Sequence, residues 1–220
     1  LYPLSLQADN AFCDKLAQQN NTGDLLDPFT TVVEQNGQLV AAPYHLVYQD
    51  EMRQISHELE QAAASLSAID ESALKQYLTM ASQAFLDNNW LPADEAWSQM
   101  NAENSKWYLR IGPDEVYYDP CSRKAGFHVS FATINEDSKI WQEKLEPLKT
   151  DMENTLAKLA GAPYQARPVS FHLPDFVDIV LNAGNSRSAH GATIGQSLPN
   201  WGPVANEGRG RTIAMTNLYT

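Results

Sequence analysis

The sequence predicts an α+β fold, in which helices accompany a compact, mostly antiparallel β core. Three observations carry that expectation. Two segments, His45 to Leu66 and Glu71 to Leu86, place apolar residues every three or four positions, as amphipathic helices do. Two β-branched, apolar runs flank Asn36-Gly37, the strongest short-range hairpin signal. Lys106 to Arg110 alternates polar, aromatic and apolar residues, and Phe127 to Ile134 is rich in Phe, Val and Thr, so both read as strands.

Taken in order, Ser5 to Gln19 predicts a first helix, with Leu6, Phe12, Cys13 and Leu16 turned inward. Asn20 to Asp24 is a polar loop, and Asn20-Asn21-Thr22 fits a glycosylation sequon. Phe29 to Val33 and Gln38 to Ala42 form the hairpin, closed by Pro43. In His45 to Leu66 the buried stripe is Met52, Ile55, Leu59, Ala62, Ala63 and Leu66. Asp70 is the expected N-cap of Glu71 to Leu86, whose stripe is Leu74, Tyr77, Leu78, Ala81 and Phe85. Pro92 to Met100 is a short helix, and Trp90 and Trp97 read as core anchors.

After the strand at Lys106 to Arg110, Gly112-Pro113-Asp114 should break the chain, with Glu115 to Tyr118 extended again and Asp119-Pro120 ending the run. Ser138 to Leu159 is a long helical segment whose Trp141, Leu145, Leu148, Met152, Leu156 and Leu159 repeat nearly as a heptad. Pro147 should kink it and Gly161 stop it. An excursion packed on a neighbouring domain explains this pattern better than a free coiled coil. Arg167 to Phe171 is expected as a strand and Pro174 to Asn182 as a short helix. Gly184 to Gly191 should be a loop, Ala192 to Gln196 extended, and Arg211 to Asn217 a last strand.

With 220 residues, the chain suits one large domain or two small ones. A formal net charge of −12 argues against nucleic-acid and anionic-membrane partners, which need basic patches. No apolar run reaches the roughly 18 residues of a membrane span. Cys13 and Cys121 have no metal-ligand spacing, and two free thiols are expected rather than one bridge, leaving the compartment open. The chain has neither an initiator Met nor a signal peptide and reads as cut from something longer.

Metal chemistry is not expected within this chain. His57-Glu58 invites a zinc reading, but a zinc-peptidase helix needs a second His one turn on, and Gln61 and Ala62 stand there. The pair therefore reads as a solvated helix face. None of the five histidines pairs with another at helical ligand spacing, and no glycine-rich phosphate loop is present.

The most informative run is Ile111 to Phe127, IGPDEVYYDPCSRKAGF, which holds a tyrosine pair between Glu115 and Asp119. On the residues alone, Tyr117 is a strand aromatic with a satisfied hydroxyl, or a phenol able to donate to a developing oxyanion. Glu115 and Asp119 are expected to hold backbone amides, Arg123 or Lys124. This run resembles the segment of the dipeptidyl peptidase III family that reads G-x-x-E-x-Y-x-D-P. A second block is Gly195-Gln196-Ser197-Leu198-Pro199-Asn200, with Glu207-Gly208 and Met215-Thr216-Asn217 downstream. It is similar to the family's G-x-N-[IL]-P-N block, its E-G or K-G pair and its short strand ending in Asn.

The resemblance implies the substrate-binding lobe of a two-lobed zinc peptidase that removes dipeptides from short peptides. Tyr117 would donate to the substrate carbonyl, Asn200 would hold the peptide backbone, and Gly195 and Ser197 would line the same subsite. The strand at about Gly191 to Gly195 would offer an edge for the peptide. Ser197 and His128 depart from the family pattern, which often has Asn and Glu there. The family's H-E-x-x-x-H zinc helix is absent before Thr220. Zinc is therefore implied for the parent protein, with the missing zinc-binding lobe as a partner and no activity for this chain alone. The expected division is residues 1–137 and 167–220 as the β core with its helices, and 138–166 as the excursion. The alternative is a peptide-binding module, or degenerate homologue, without chemistry.

Overall fold

The computed structural model describes residues 1–19, 25–67, 69–169, 174–187 and 194–217. The sequon lies outside these residues. Short helices α1 (Leu4–Gln7) and α2 (Phe12–Ala17) open the chain. The single helix expected over Ser5 to Gln19 is interrupted because the Asp9 carboxylate accepts from the Ala11 amide, an Asx turn that competes with helix. The hairpin follows as β1 (Thr30–Gln35) and β2 (Gln38–Pro43). Its turn residues Asn36 and Gly37 both take positive φ, as a two-residue hairpin turn requires.

The helix expected from His45 to Leu66 is divided into α3 (Tyr44–Val47) and α4 (Gln49–Ser65), with non-helical Tyr48 between them. Tyr44 is buried at this break and donates to the Ala125 carbonyl, 2.9 Å away. Helix α5 (Ser72–Asp87) packs on α4 through its predicted stripe, and Ser56 and Ser82 meet at 2.8 Å between the two helices. Asp70 does not cap α5. Glu71 holds the N-cap position and sends its carboxylate to the Ser105 hydroxyl (2.6 Å) and the Lys106 amide, tying the helix to the sheet. Helix α6 is Leu91–Gln99, and both Trp90 and Trp97 are buried as expected. His57 and Glu58 are exposed, in keeping with a solvated face.

Five strands form the main sheet: β3 (Trp107–Glu115), β4 (Gly126–Ile134), β5 (Asp175–Gly184), β6 (Gly195–Leu198) and β7 (Arg211–Met215), in the order β3-β4-β5-β7-β6. All pairings are antiparallel except β5 with β7. Gly112-Pro113-Asp114 does not break β3. The strand runs through, with a register shift between Pro113 and Glu115, and the chain turns only after Glu115. Proline is tolerated because β3 is an edge strand. That edge is covered by helices. The Tyr77 hydroxyl accepts from the Ile111 amide (2.9 Å) and donates to its carbonyl (3.1 Å), while the Trp97 indole donates to Leu109 (2.9 Å).

The helix expected over Pro174 to Asn182 is a correction: the segment is β5, paired on both sides. Its apolar run Phe176 to Leu181 suits a strand or a buried helix, and only pairing decides. Of the expected strand over Arg167 to Phe171, residues 167–169 are irregular and the rest lies outside the described residues, as do 188–193. Pro147 divides the long helical segment as anticipated, into α7 (Glu136–Leu145), a 3₁₀ turn (Glu146–Leu148) and α8 (Lys149–Ala160), with Gly161 at positive φ as the stop. A further short helix, α9 (Gly202–Asn206), joins β6 to β7.

The main core lies between α4, α5, α6 and the sheet. A smaller cluster of Tyr2, Phe12, Leu16, Leu25 and Val32 packs the opening segment on the hairpin. Here the expectation of two free thiols is overturned: Cys13 and Cys121 form a disulfide. The two residues lie 108 positions apart and meet only through tertiary packing, which spacing along the chain does not express.

Candidate functional site

The site is built where β3 ends. Beyond Glu115 the chain turns through residues 116–121, held by the Asp119 amide on the Val116 carbonyl (3.1 Å) and the Ser122 amide on Asp119 (2.9 Å). The Asp119 carboxylate holds backbone amides, as anticipated: it accepts from Cys121 (3.1 Å) and Arg123 (2.9 Å), and also from the Tyr2 hydroxyl (3.1 Å). Tyr117 stands on this turn and is 76% exposed, so its phenol is open to a ligand.

Glu115 has a different role. Asn200 lies just beyond the end of β6, and its side-chain amide donates to the Asp114 carbonyl (2.9 Å) and to the Glu115 carboxylate (3.0 Å). The charge of the same carboxylate acts on the Tyr117 hydroxyl. Glu115 therefore binds Asn200 and acts through its charge on Tyr117. Burial raises the Glu115 carboxyl above its usual range, opposed by the bond from Asn200. The Glu115 charge in turn raises the Tyr117 phenol, with burial adding to it, so Tyr117 keeps its proton at neutral pH.

Beneath these groups runs a buried chain of charges. Arg110 pairs with Asp114 through Nε (2.7 Å) and Nη2, and with Asp94 of α6 (2.8 Å). His128 Nε2 meets Asp114 at 2.6 Å and its Nδ1 meets Ser186, which Gln196 of β6 reaches at 3.4 Å. Arg110 also lies over the Trp97 ring. Burial opposes ionisation of Asp114, but Arg110 and His128 outweigh it and hold the carboxyl well below the usual range. The network ties β3, β4 and β6 together beneath the site. The sequence pattern did not disclose it, although the departure at His128 was its one visible sign.

The other anticipated residues lie on β6, which among the described residues pairs only with β7 and forms the sheet's second edge. Ser197 bonds Thr212 across the pair at 2.8 Å. At Gly195 a Cβ would stand 2.2 Å from the Ile213 carbonyl, so the close approach of β7 requires glycine. Neither reaches Glu115 by a described bond. A groove of about 940 Å³ runs along β6 and β7, lined in part by Ser197, Pro199, Thr212 and Gln142. A cavity of about 230 Å³ adjoins Glu115. Among the described residues no group of three His, Cys, Asp or Glu side chains could hold a metal ion, so zinc does not fit the described residues.

No family model matches the chain. Among solved structures, dipeptidyl peptidase III from Caldithrix abyssi superposes with a TM-score of 0.81 at 25% identity, over 99% of this chain and 40% of that one. The chain has the fold of part of a dipeptidyl peptidase III. The enzyme from Corallococcus sp. strain EGB gives a TM-score of 0.77, again at 25% identity, with 99% and 40% covered. A curated relative, Nudix hydrolase 3 of Arabidopsis thaliana, is 26% identical over 187 residues, 83% of this chain and 22% of that protein. The dipeptidyl peptidase III-like chain thus spans well under half the length of the proteins it matches.

Proposed function

We propose that this chain is the substrate-binding portion of a zinc-dependent, dipeptidyl peptidase III-like peptidase that removes dipeptides from the N-terminus of short peptides. The observation that carries the reading is the bond that joins the two motif blocks, from Asn200 to Glu115, whose charge acts on Tyr117. In this reading an extended peptide adds to the free edge of β6. Asn200 offers donor and acceptor to its backbone. Tyr117, protonated and exposed, donates to the oxygen that gains charge as the peptide bond is attacked. One such donor supplies about 3 kcal/mol of transition-state stabilisation.

Zinc, held by the remainder of the parent protein, would supply the activated water. Residues 138–166 are the excursion toward that lobe. Ile140, Trp141, Met152, Leu156 and Leu159 are exposed along α7 and α8, an apolar stripe of the kind a neighbouring lobe covers. Residues 1–137 and 167–220 form the β core with its helices.

The test uses the full-length parent with Tyr117→Phe. Its kcat should fall about 100-fold with KM little changed, because the lost bond acts on the transition state. An unchanged kcat removes Tyr117 from the chemistry. This chain alone should release no dipeptides, and zinc-dependent hydrolysis by the pure 220-residue protein would refute the assignment of the metal to the remainder.

A further inference from the structure

The turn that presents Tyr117 is held from outside by the opening segment of the chain. The Cys13–Cys121 bridge joins α2 to the end of the turn. The Tyr2 hydroxyl donates to Asp119, whose same carboxylate oxygen orders the Cys121 and Arg123 amides. The opening segment is itself anchored: Leu1 accepts from the Val32 amide of β1 (2.8 Å), and Phe12 and Leu16 are buried against the hairpin. Tyr117 and Tyr118 are both exposed. The same segment also lines the cavity beside Glu115, through Leu1, Tyr2 and Gln7, together with Tyr118 and Lys124.

We propose that residues 1–17 are a disulfide-locked clamp that positions the Tyr117 turn and walls the cavity at Glu115. The proposal rests on the reading of Tyr117, Glu115 and Asn200 as the peptide site. Cys13, Cys121 and Tyr2 are positioning residues in it. They touch no reacting atom and act through the turn. Both bridge residues are only partly buried, so a dithiol reductant reaches them. On reduction the S–S bond breaks, each sulfur gains an electron and a proton, and the reagent closes to its own disulfide.

Hydrogen exchange measured on the oxidised chain, the dithiothreitol-reduced chain and the Cys13→Ala/Cys121→Ala variant tests the clamp without any assumption about function. The amides of residues 116–119 and 121–123 should exchange roughly tenfold faster without the bridge, while those of α5 stay unchanged. Tyr2→Phe, which keeps the bridge and the ring, should quicken the same amides less. Binding of tetra-alanine, measured in parallel, should weaken roughly tenfold on reduction and recover on reoxidation, because the site is no longer preorganised. Faster exchange confined to residues 1–17 overturns the clamp. Faster exchange at 116–123 with no tetra-alanine binding by either form supports the clamp and counts against the peptide reading.

Discussion

Asp114 joins the site to a buried pair: its carboxylate lies between Arg110 and His128, and its own backbone carbonyl accepts from Asn200. Asp114→Asn leaves the guanidinium of Arg110 without its main partner in a dry site. Breaking such a pair costs about 3–5 kcal/mol, which urea unfolding would measure. The Asp114 carboxyl is depressed in the fold by Arg110 and His128 against the opposing effect of burial. Its stabilising contribution is complete above the ordinary carboxylate range and is lost as pH falls below that range toward the depressed value of the folded carboxyl. Lys124 shows the same slope at higher pH, from a different cause. Burial lowers its ammonium to about 8 from 10.5, against the pull of Asp27 and Asp119. Between those values the unfolded chain holds more protons than the native one, so this group's contribution to stability rises as pH increases through the window. The check is the wild-type stability minus that of Lys124→Met at pH 7.5 and pH 9.5, and a difference that does not grow with pH would refute it. Tyr117 and Asn200 were legible at this scale through their motifs, whereas the bond of Asn200 to Glu115 was not. That bond joins residues 85 positions apart and forms only because the end of β6 packs beside the end of β3.

Elements whose signal is local came out close to expectation. The buried stripe of α5, the Asn36-Gly37 hairpin and the break at Pro147 all rest on interactions within a few residues. Strand β5 did not, because the same apolar run buries equally well as helix or strand until β4 and β7 supply partners. The division of Ser5 to Gln19 was within reach, since Asp9 two residues before Ala11 is an Asx-turn signal. Strand β6 depends on Gly195. In Gly195→Ala the new methyl meets the Ile213 carbonyl at 2.2 Å, so backbone must move and the β6–β7 pair opens at that end. Hydrogen exchange at Gln196 and Met215 should quicken, and peptide affinity should fall with it if β6 is the docking edge.

For the molecule as a whole, the Cys13–Cys121 bridge closes a span of 108 residues between the opening segment and the candidate site. Such a bridge restricts the unfolded chain, and its removal should lower stability by about 2–4 kcal/mol. Urea unfolding of the Cys13→Ala/Cys121→Ala variant beside the wild type would measure this, and equal midpoints would show the bridge to be thermodynamically silent. Disulfides persist in oxidising surroundings, so the bridge carries information about compartment that the two cysteines alone did not. The exposed stripe along α7 and α8 belongs to this scale too. Its heptad-like spacing was plain in the sequence, and the described residues leave it uncovered.

By itself the sequence determined the α+β class, the amphipathic helices, the hairpin and the two motif blocks that carry the likeness to dipeptidyl peptidase III. Those features come from short-range periodicity, turn chemistry and fixed local spacing. The tertiary structure alone decided the strand state of β5, the pairing of Cys13 with Cys121, the charge chain beneath the site and the bond of Asn200 to Glu115. Contacts that build the site join residues 86 and 117 positions apart, as Asn200 meets Asp114 and Tyr2 meets Asp119. Such contacts depend on how the sheet and helices pack, and no pattern along the chain encodes them.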